Sequence, residues 1–96
     1  MNPEENELFD LAVLRVLDAN RTRFGLGIVA IGHHLTQFGF TAGNCGGAEK
    51  FHERIADRIE YLTNKQMLEE ALKVVSKANR CWRITTTGID YVDQRG

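Results

Sequence analysis

The chain has 96 residues, of which 43% are hydrophobic and 26% charged, and its formal net charge is −1. We predict one globular domain over residues 1–96, because this length fits a single core and the composition is not that of a disordered chain. No apolar run approaches the roughly 20 residues that cross a bilayer, and the acidic N-terminus is unlike a signal peptide. The sequence therefore predicts a cytoplasmic protein whose two cysteines are free thiols.

The first predicted helix starts near the N-terminus. Asn2 can cap it, with Pro3 at its first position and Glu4 and Glu5 in its first turn. Apolar residues then recur at helical spacing, and they are Phe9, Val13, Val16 and Leu17, flanked by Leu8, Leu11 and Leu14. This broad apolar arc favours a central core helix over a dimer seam, and Asn20 is a plausible terminator.

A second helix is predicted after the short connection 21–27, which has two glycines and can supply a very short strand. Its apolar residues, at spacings of three, four and three, are Ile28, Ile31, Leu35 and Phe38. Gly39 can close this helix. The glycine-rich loop 39–47 is longer than the three or four residues usual in a helix–turn–helix.

The third helix has the most regular pattern in the chain. Its apolar stripe has spacings of three, four, four and three, and consists of Ala48, Phe51, Ile55, Ile59 and Leu62. We predict a helix over 48–63, with Asn64 near its end. A ridge of basic residues four apart lies one position from this stripe, and it consists of Lys50, Arg54 and Arg58. Part of this ridge can therefore face outward.

The last third of the sequence predicts a hairpin followed by a helix. The segments 72–75 and 81–85 have strand character around a turn at 76–80, and the hairpin starts near Met67 or Leu68. The returning strand alternates apolar and polar residues and continues into a helix start. Thr87 and Asp90 have the spacing of a capping box.

The segment from Trp82 to Val92 resembles the wing and last helix of bacterial winged-helix proteins, which share an aromatic-x-apolar-Thr-x-x-Gly pattern. The element order over residues 8–94 is similar to that of MarR-, PadR- and ArsR-type regulators and of small phage or mobile-element proteins. The resemblance implies an α+β, mostly α fold: a winged helix with a three-helix core, a two-stranded wing hairpin and a C-terminal helix.

The same resemblance implies binding of double-stranded DNA, in transcriptional regulation, by a homodimer joined through its first and last helices. The recognition helix would be 48–63 in the major groove, and the basic wing 73–83 would touch the backbone or minor groove. Arg54 is the best candidate for reading guanine. The predicted DNA-binding residues are Lys50, His52, Arg54, Arg58, Lys73, Lys77, Arg80 and Arg83.

A protein–protein interaction module without DNA binding is the alternative. Four acidic residues interleave with the basic ones on the third helix, and they are Glu49, Glu53, Asp57 and Glu60. Such pairs can give a self-neutralised, solvated face. Basic residues in the wing can equally serve to prevent pairing of strand edges.

Catalytic, cofactor and metal sites are not predicted. The loop 43–47 lacks the Gly-Lys-Ser/Thr of a P-loop. The adjacent His33 and His34 would point about 100° apart on a helix, and neither C-x-x-C nor H-x-x-x-H is present. A redox or metal sensor through Cys45 and Cys81 is a further alternative, and we expect no enzyme.

Overall fold

The structure, a computed structural model, describes residues 3–21, 24–71 and 80–95. These residues form four α-helices and one antiparallel two-stranded hairpin. The helices are α1 (Pro3–Ala19), α2 (Ile28–Leu35), α3 (Ala48–Asn64) and α4 (Thr86–Arg95), and the strands are β1 (Leu68–Glu70) and β2 (Trp82–Ile84). The predicted α+β, mostly α class is confirmed, and the element order is compatible with a winged-helix layout. In the described ranges, no helix is long and apolar enough to span a membrane.

Helix α1 is the centre of the core, as its broad apolar arc predicts. Phe9, Val13 and Leu14 are each 0% exposed. The helix contacts α2, α3, α4 and β2. The backbone N–H and the side-chain amide nitrogen of Asn20 both donate to the Val16 carbonyl oxygen, at 3.1 and 2.7 Å, directly after the helix ends at Ala19. The predicted terminator is therefore confirmed, whereas the Asn2 cap lies outside the described residues.

Helices α2 and α3 pack on α1 with the central residues of their predicted apolar stripes. Phe38, the last predicted member of the α2 stripe, is 38% exposed, so that part of the prediction is wrong. Helix α2 continues into a 3-10 turn, Thr36–Phe38, and Gly39 ends it with a φ of 87°. The stripe of α3 is buried from Phe51 to Leu62, and the helix ends at Asn64 as predicted. Ala48 is exposed at the first helical position and does not belong to the buried stripe.

The hairpin follows α3 and packs beside α1. Its register places Leu68 opposite Ile84 and Glu69 opposite Arg83. The predicted start near Met67 or Leu68 is confirmed. Leu26 bridges Trp82 through two backbone hydrogen bonds of 2.9 Å, which supplies the very short strand expected in 21–27. The predicted strand 72–75 and most of the turn, with Lys73 and Lys77, lie outside the described residues.

The cap of α4 differs from the prediction. Thr85, not Thr87, is the capping residue: its hydroxyl oxygen accepts from the Gly88 N–H at 3.1 Å, and its carbonyl accepts from the Ile89 N–H at 2.9 Å. The same hydroxyl donates to the Gln66 carbonyl oxygen at 2.6 Å. This tertiary hydrogen bond fixes the helix start two residues earlier than the predicted capping box, so that prediction is wrong.

We expect Thr85→Val to lower the free energy of unfolding by about 1–2 kcal/mol, because it removes a helix cap and leaves the Gln66 carbonyl without its donor. Urea denaturation followed by Trp82 fluorescence measures the change. Thr87→Val is the matched control, since Thr87 is exposed in the same first turn. Equal losses in the two variants would contradict the assignment of the cap to Thr85.

Candidate nucleic-acid interface

The solvent-facing side of α3 is acidic. The structure describes the whole helix, and its exposed residues are Glu49, Lys50, Glu53, Asp57, Glu60, Tyr61 and Asn64, together with the first residue Ala48. Lys50 is therefore the one cation among four carboxylates on the face that a recognition helix would present to DNA. Phosphate contacts require a surplus of positive charge, which this described face lacks.

Arg54 is turned toward α1 instead of outward. Its guanidinium carbon lies 4.1 Å from the centroid of the Phe9 ring and 5.7 Å from that of Phe40. Its Nη1 donates to the Cys45 sulfur at 3.5 Å, and among the described residues its buried Nε has no hydrogen-bond partner. The side chain predicted to read guanine is thus held on two aromatic rings by cation–π contacts.

Arg58 forms a forked ion pair with Asp10 of α1. Its Nε and Nη2 donate to the two carboxylate oxygens at 2.7 and 2.6 Å. Asp10 is 6% exposed and is the buried charged residue of the described chain. The hydrogen bond that Arg58 donates to Asp10 raises the pKa of Arg58 above its ordinary value, against a smaller opposing effect of burial. This arginine is therefore held against α1 by the ion pair, and its side chain is 20% exposed.

His52 and Lys50 complete the predicted residues of α3. The His52 ring is half-buried and stacks on the Phe51 ring with a centroid separation of 6.2 Å. Lys50 is exposed at the N-terminal end of the helix. Lys50, Arg54 and Arg58 are spaced four residues apart on α3, as predicted. Of these three, only Lys50 is exposed on the outer face of the helix.

The two hairpin arginines, exposed Arg80 and half-buried Arg83, are paired with hairpin carboxylates. Arg80 donates from Nε and Nη2 to the two oxygens of Glu70, at 3.0 Å each. Arg83 donates to Glu69 at 2.7 Å, as the strand register allows. The hydrogen bond to Glu70 raises the pKa of Arg80. The described part of the hairpin is therefore close to electrically neutral, and Lys73 and Lys77 lie outside it.

The thiols and histidines form no metal-binding group in the part of the chain that the structure describes. Cys45 and Cys81 are both half-buried, and they form no disulfide within the described residues. Cys45 accepts the Arg54 hydrogen bond at the start of α3.

Comparison with known proteins adds no further evidence on function. No family model matches the chain, and no curated protein or solved structure matches it. Asp10, Glu69 and Glu70 are the ion-pair partners of the predicted arginines that sequence reasoning missed. Asp10 could have been identified from the sequence, because its carboxylate lies within the apolar arc of α1 and a buried carboxylate requires a cation as partner.

Proposed function

We propose that this chain is a winged-helix module that acts through protein contacts and does not read DNA with α3. The observation that carries this proposal is the outer face of α3, where carboxylates are exposed while Arg54 and Arg58 turn inward. The packing of α1, α2 and α3 in one core, with the hairpin and then α4 following, supports the winged-helix assignment.

The energetic cost of converting α3 into a DNA reader favours this proposal. Turning Arg58 outward would leave the buried Asp10 carboxylate unpaired, at a cost of about 3–5 kcal/mol. One good bidentate base contact provides about 1–3 kcal/mol. The four exposed carboxylates would then approach phosphates within a Debye length of about 8 Å and repel them. For Arg58, the cost of leaving Asp10 unpaired therefore exceeds the free energy gained from one base contact.

A second candidate is duplex binding through the hairpin, in the regulatory role that the winged-helix resemblance implies. One observation favours it: residues 71–83 contain four basic residues and no acidic one. Lys50 would then be the contribution of α3. A homodimer through α1 and α4 belongs to the same candidate, and Leu8 of α1, 61% exposed, is an apolar side chain available for it.

Fluorescence anisotropy with random-sequence duplex DNA at roughly 50 and 200 mM salt separates the two candidates. We expect no saturable binding at micromolar protein concentration, because the described surface offers phosphates no cationic strip. Binding through the hairpin would instead weaken at least about tenfold over this salt range. It would also weaken for every sequence in the Lys77→Ala/Arg80→Ala variant.

Arg21→Ala is the control for that variant. The Arg21 side chain is 56% exposed and paired with Asp18, much as Arg80 is 55% exposed and paired with Glu70. Steep salt dependence that is lost in the hairpin variant and kept in Arg21→Ala would replace the protein-contact proposal with the DNA-binding one.

A further inference from the structure

A cleft of about 560 Å³ lies between the N-terminal half of α1, the C-terminal half of α3 and α4. Its volume is within the range of about 300–1,000 Å³ typical of ligand sites. Leu62, Met67 and Tyr91 give it an apolar lining, and Leu62 is 2% exposed. The cleft therefore combines an apolar surface with the polar side chains described next.

The acidic residues of the cleft are already paired, and one of its cations is not. Asp10 binds Arg58 at the inner end, and Glu7 binds Arg95 across the α1–α4 rim. Lys65 lines the same cleft, is exposed, and forms no ion pair within the described residues. The cleft thus has a surplus of one positive charge and suits a ligand with one negative charge.

Three hydrogen-bond donors in this cleft have no acceptor among the described residues. Arg58 uses Nε and Nη2 for Asp10, which leaves Nη1. Tyr61, 44% exposed, lies between two cations: its ring centroid is 4.3 Å from the Arg58 guanidinium carbon and 5.6 Å from the Lys65 Nζ. The hydroxyl of Tyr61 and the ammonium of Lys65 are the other two donors. Because Asp10 anchors Arg58, little side-chain entropy is lost when an anion binds there.

We propose that this cleft binds a carboxylate of a partner protein segment, with an adjoining apolar side chain on Leu62, Met67 and Tyr91. The inference rests on the protein-contact function proposed above and names the chemistry of the partner. Guanidinium and ammonium donors form charge-assisted hydrogen bonds to carboxylates, and the surplus charge matches a single one. A cationic segment would find both carboxylates of the cleft occupied by arginine.

Titration of the ¹⁵N-labelled full chain with N-acetyl-leucine, followed by amide chemical shifts, tests the cleft with a minimal carboxylate and apolar group. We expect saturable shifts at Leu62 and Met67, and much weaker ones with N-acetyl-leucinamide. N-acetyl-leucyl-glutamate amide has its only carboxylate on the side chain. Comparing its affinity with that of N-acetyl-leucine distinguishes recognition of an internal acidic residue from recognition of a C-terminal carboxylate. Lys65→Met should weaken binding about fivefold, the effect of losing one exposed charged contact.

Lys50→Met is the matched control, because Lys50 is an exposed cation near the opposite end of α3 and lies outside this cleft. Equal shifts with the leucinamide, equal shifts with inorganic phosphate, or unchanged affinity in Lys65→Met would each overturn the assignment. If N-acetyl-leucine does not bind the cleft and duplex DNA does not bind the protein either, only this inference is lost. Salt-dependent duplex binding would instead remove the protein-contact function itself.

Discussion

Arg58→Met is expected to lower the free energy of unfolding by about 3–5 kcal/mol, because it leaves the Asp10 carboxylate buried without a partner. Asp10 is 6% exposed, and both of its oxygens accept from Arg58. Since small domains unfold at a cost of about 5–15 kcal/mol, the variant loses a large share of its stability. Urea denaturation at pH 7, followed by fluorescence of the single Trp82, measures the loss.

Two further variants assign this loss to the buried carboxylate. Asp10→Asn/Arg58→Met should recover at least half of the lost stability, because a neutral amide costs less to bury than a carboxylate. Lys50→Met, an exposed cation on the same helix, should change stability by less than about 0.5 kcal/mol. A loss in Arg58→Met no larger than that of Lys50→Met would show that the ion pair is not buried in solution.

The position of Arg58 shows how far the sequence of α3 can be interpreted. Helical periodicity predicts the buried stripe correctly, because the spacing of apolar residues encodes which face meets the core. A side chain at the boundary of that stripe can point outward or toward a neighbouring helix. Asp10 decides between these outcomes, and it is 48 residues away in sequence. The carboxylate lies on the same helical face as Leu14 and Leu17, which is the signal that it needs a cation.

The hairpin and α4 show the same limit on a smaller scale. Thr85, Thr86 and Thr87 can each cap a helix, and the sequence favours Thr87 because Asp90 follows it at the spacing of a capping box. The Gln66 carbonyl selects Thr85 through a hydrogen bond that only the folded chain forms. Likewise, the strand register pairs Arg83 with Glu69 and so reduces the charge that the composition of the hairpin suggests. Element type follows from local pattern, whereas charge pairing depends on tertiary contacts.

Gly88→Ala is expected to destabilise the protein by about 2–3 kcal/mol, although alanine favours a helix by about 1 kcal/mol over glycine. A Cβ at Gly88 would lie 2.3 Å from the Met67 carbonyl oxygen and 2.7 Å from Cγ1 of Ile84. The Met67 carbonyl is fixed, because it accepts from the Thr85 N–H at 3.0 Å. The steric cost therefore exceeds the gain in helix propensity.

Gly43→Ala is the control for this substitution. A Cβ at Gly43 would have its nearest neighbour, Oγ1 of Thr41, at 3.8 Å, an ordinary contact. Urea denaturation of both variants should separate them by at least about 2 kcal/mol. Since α4 carries Tyr91 and Arg95 to the cleft, Gly88→Ala should also weaken binding of N-acetyl-leucine. A variant as stable as Gly43→Ala would mean that α4 does not approach the α3–β1 connection at Gly88, and the cleft would lose one of its walls.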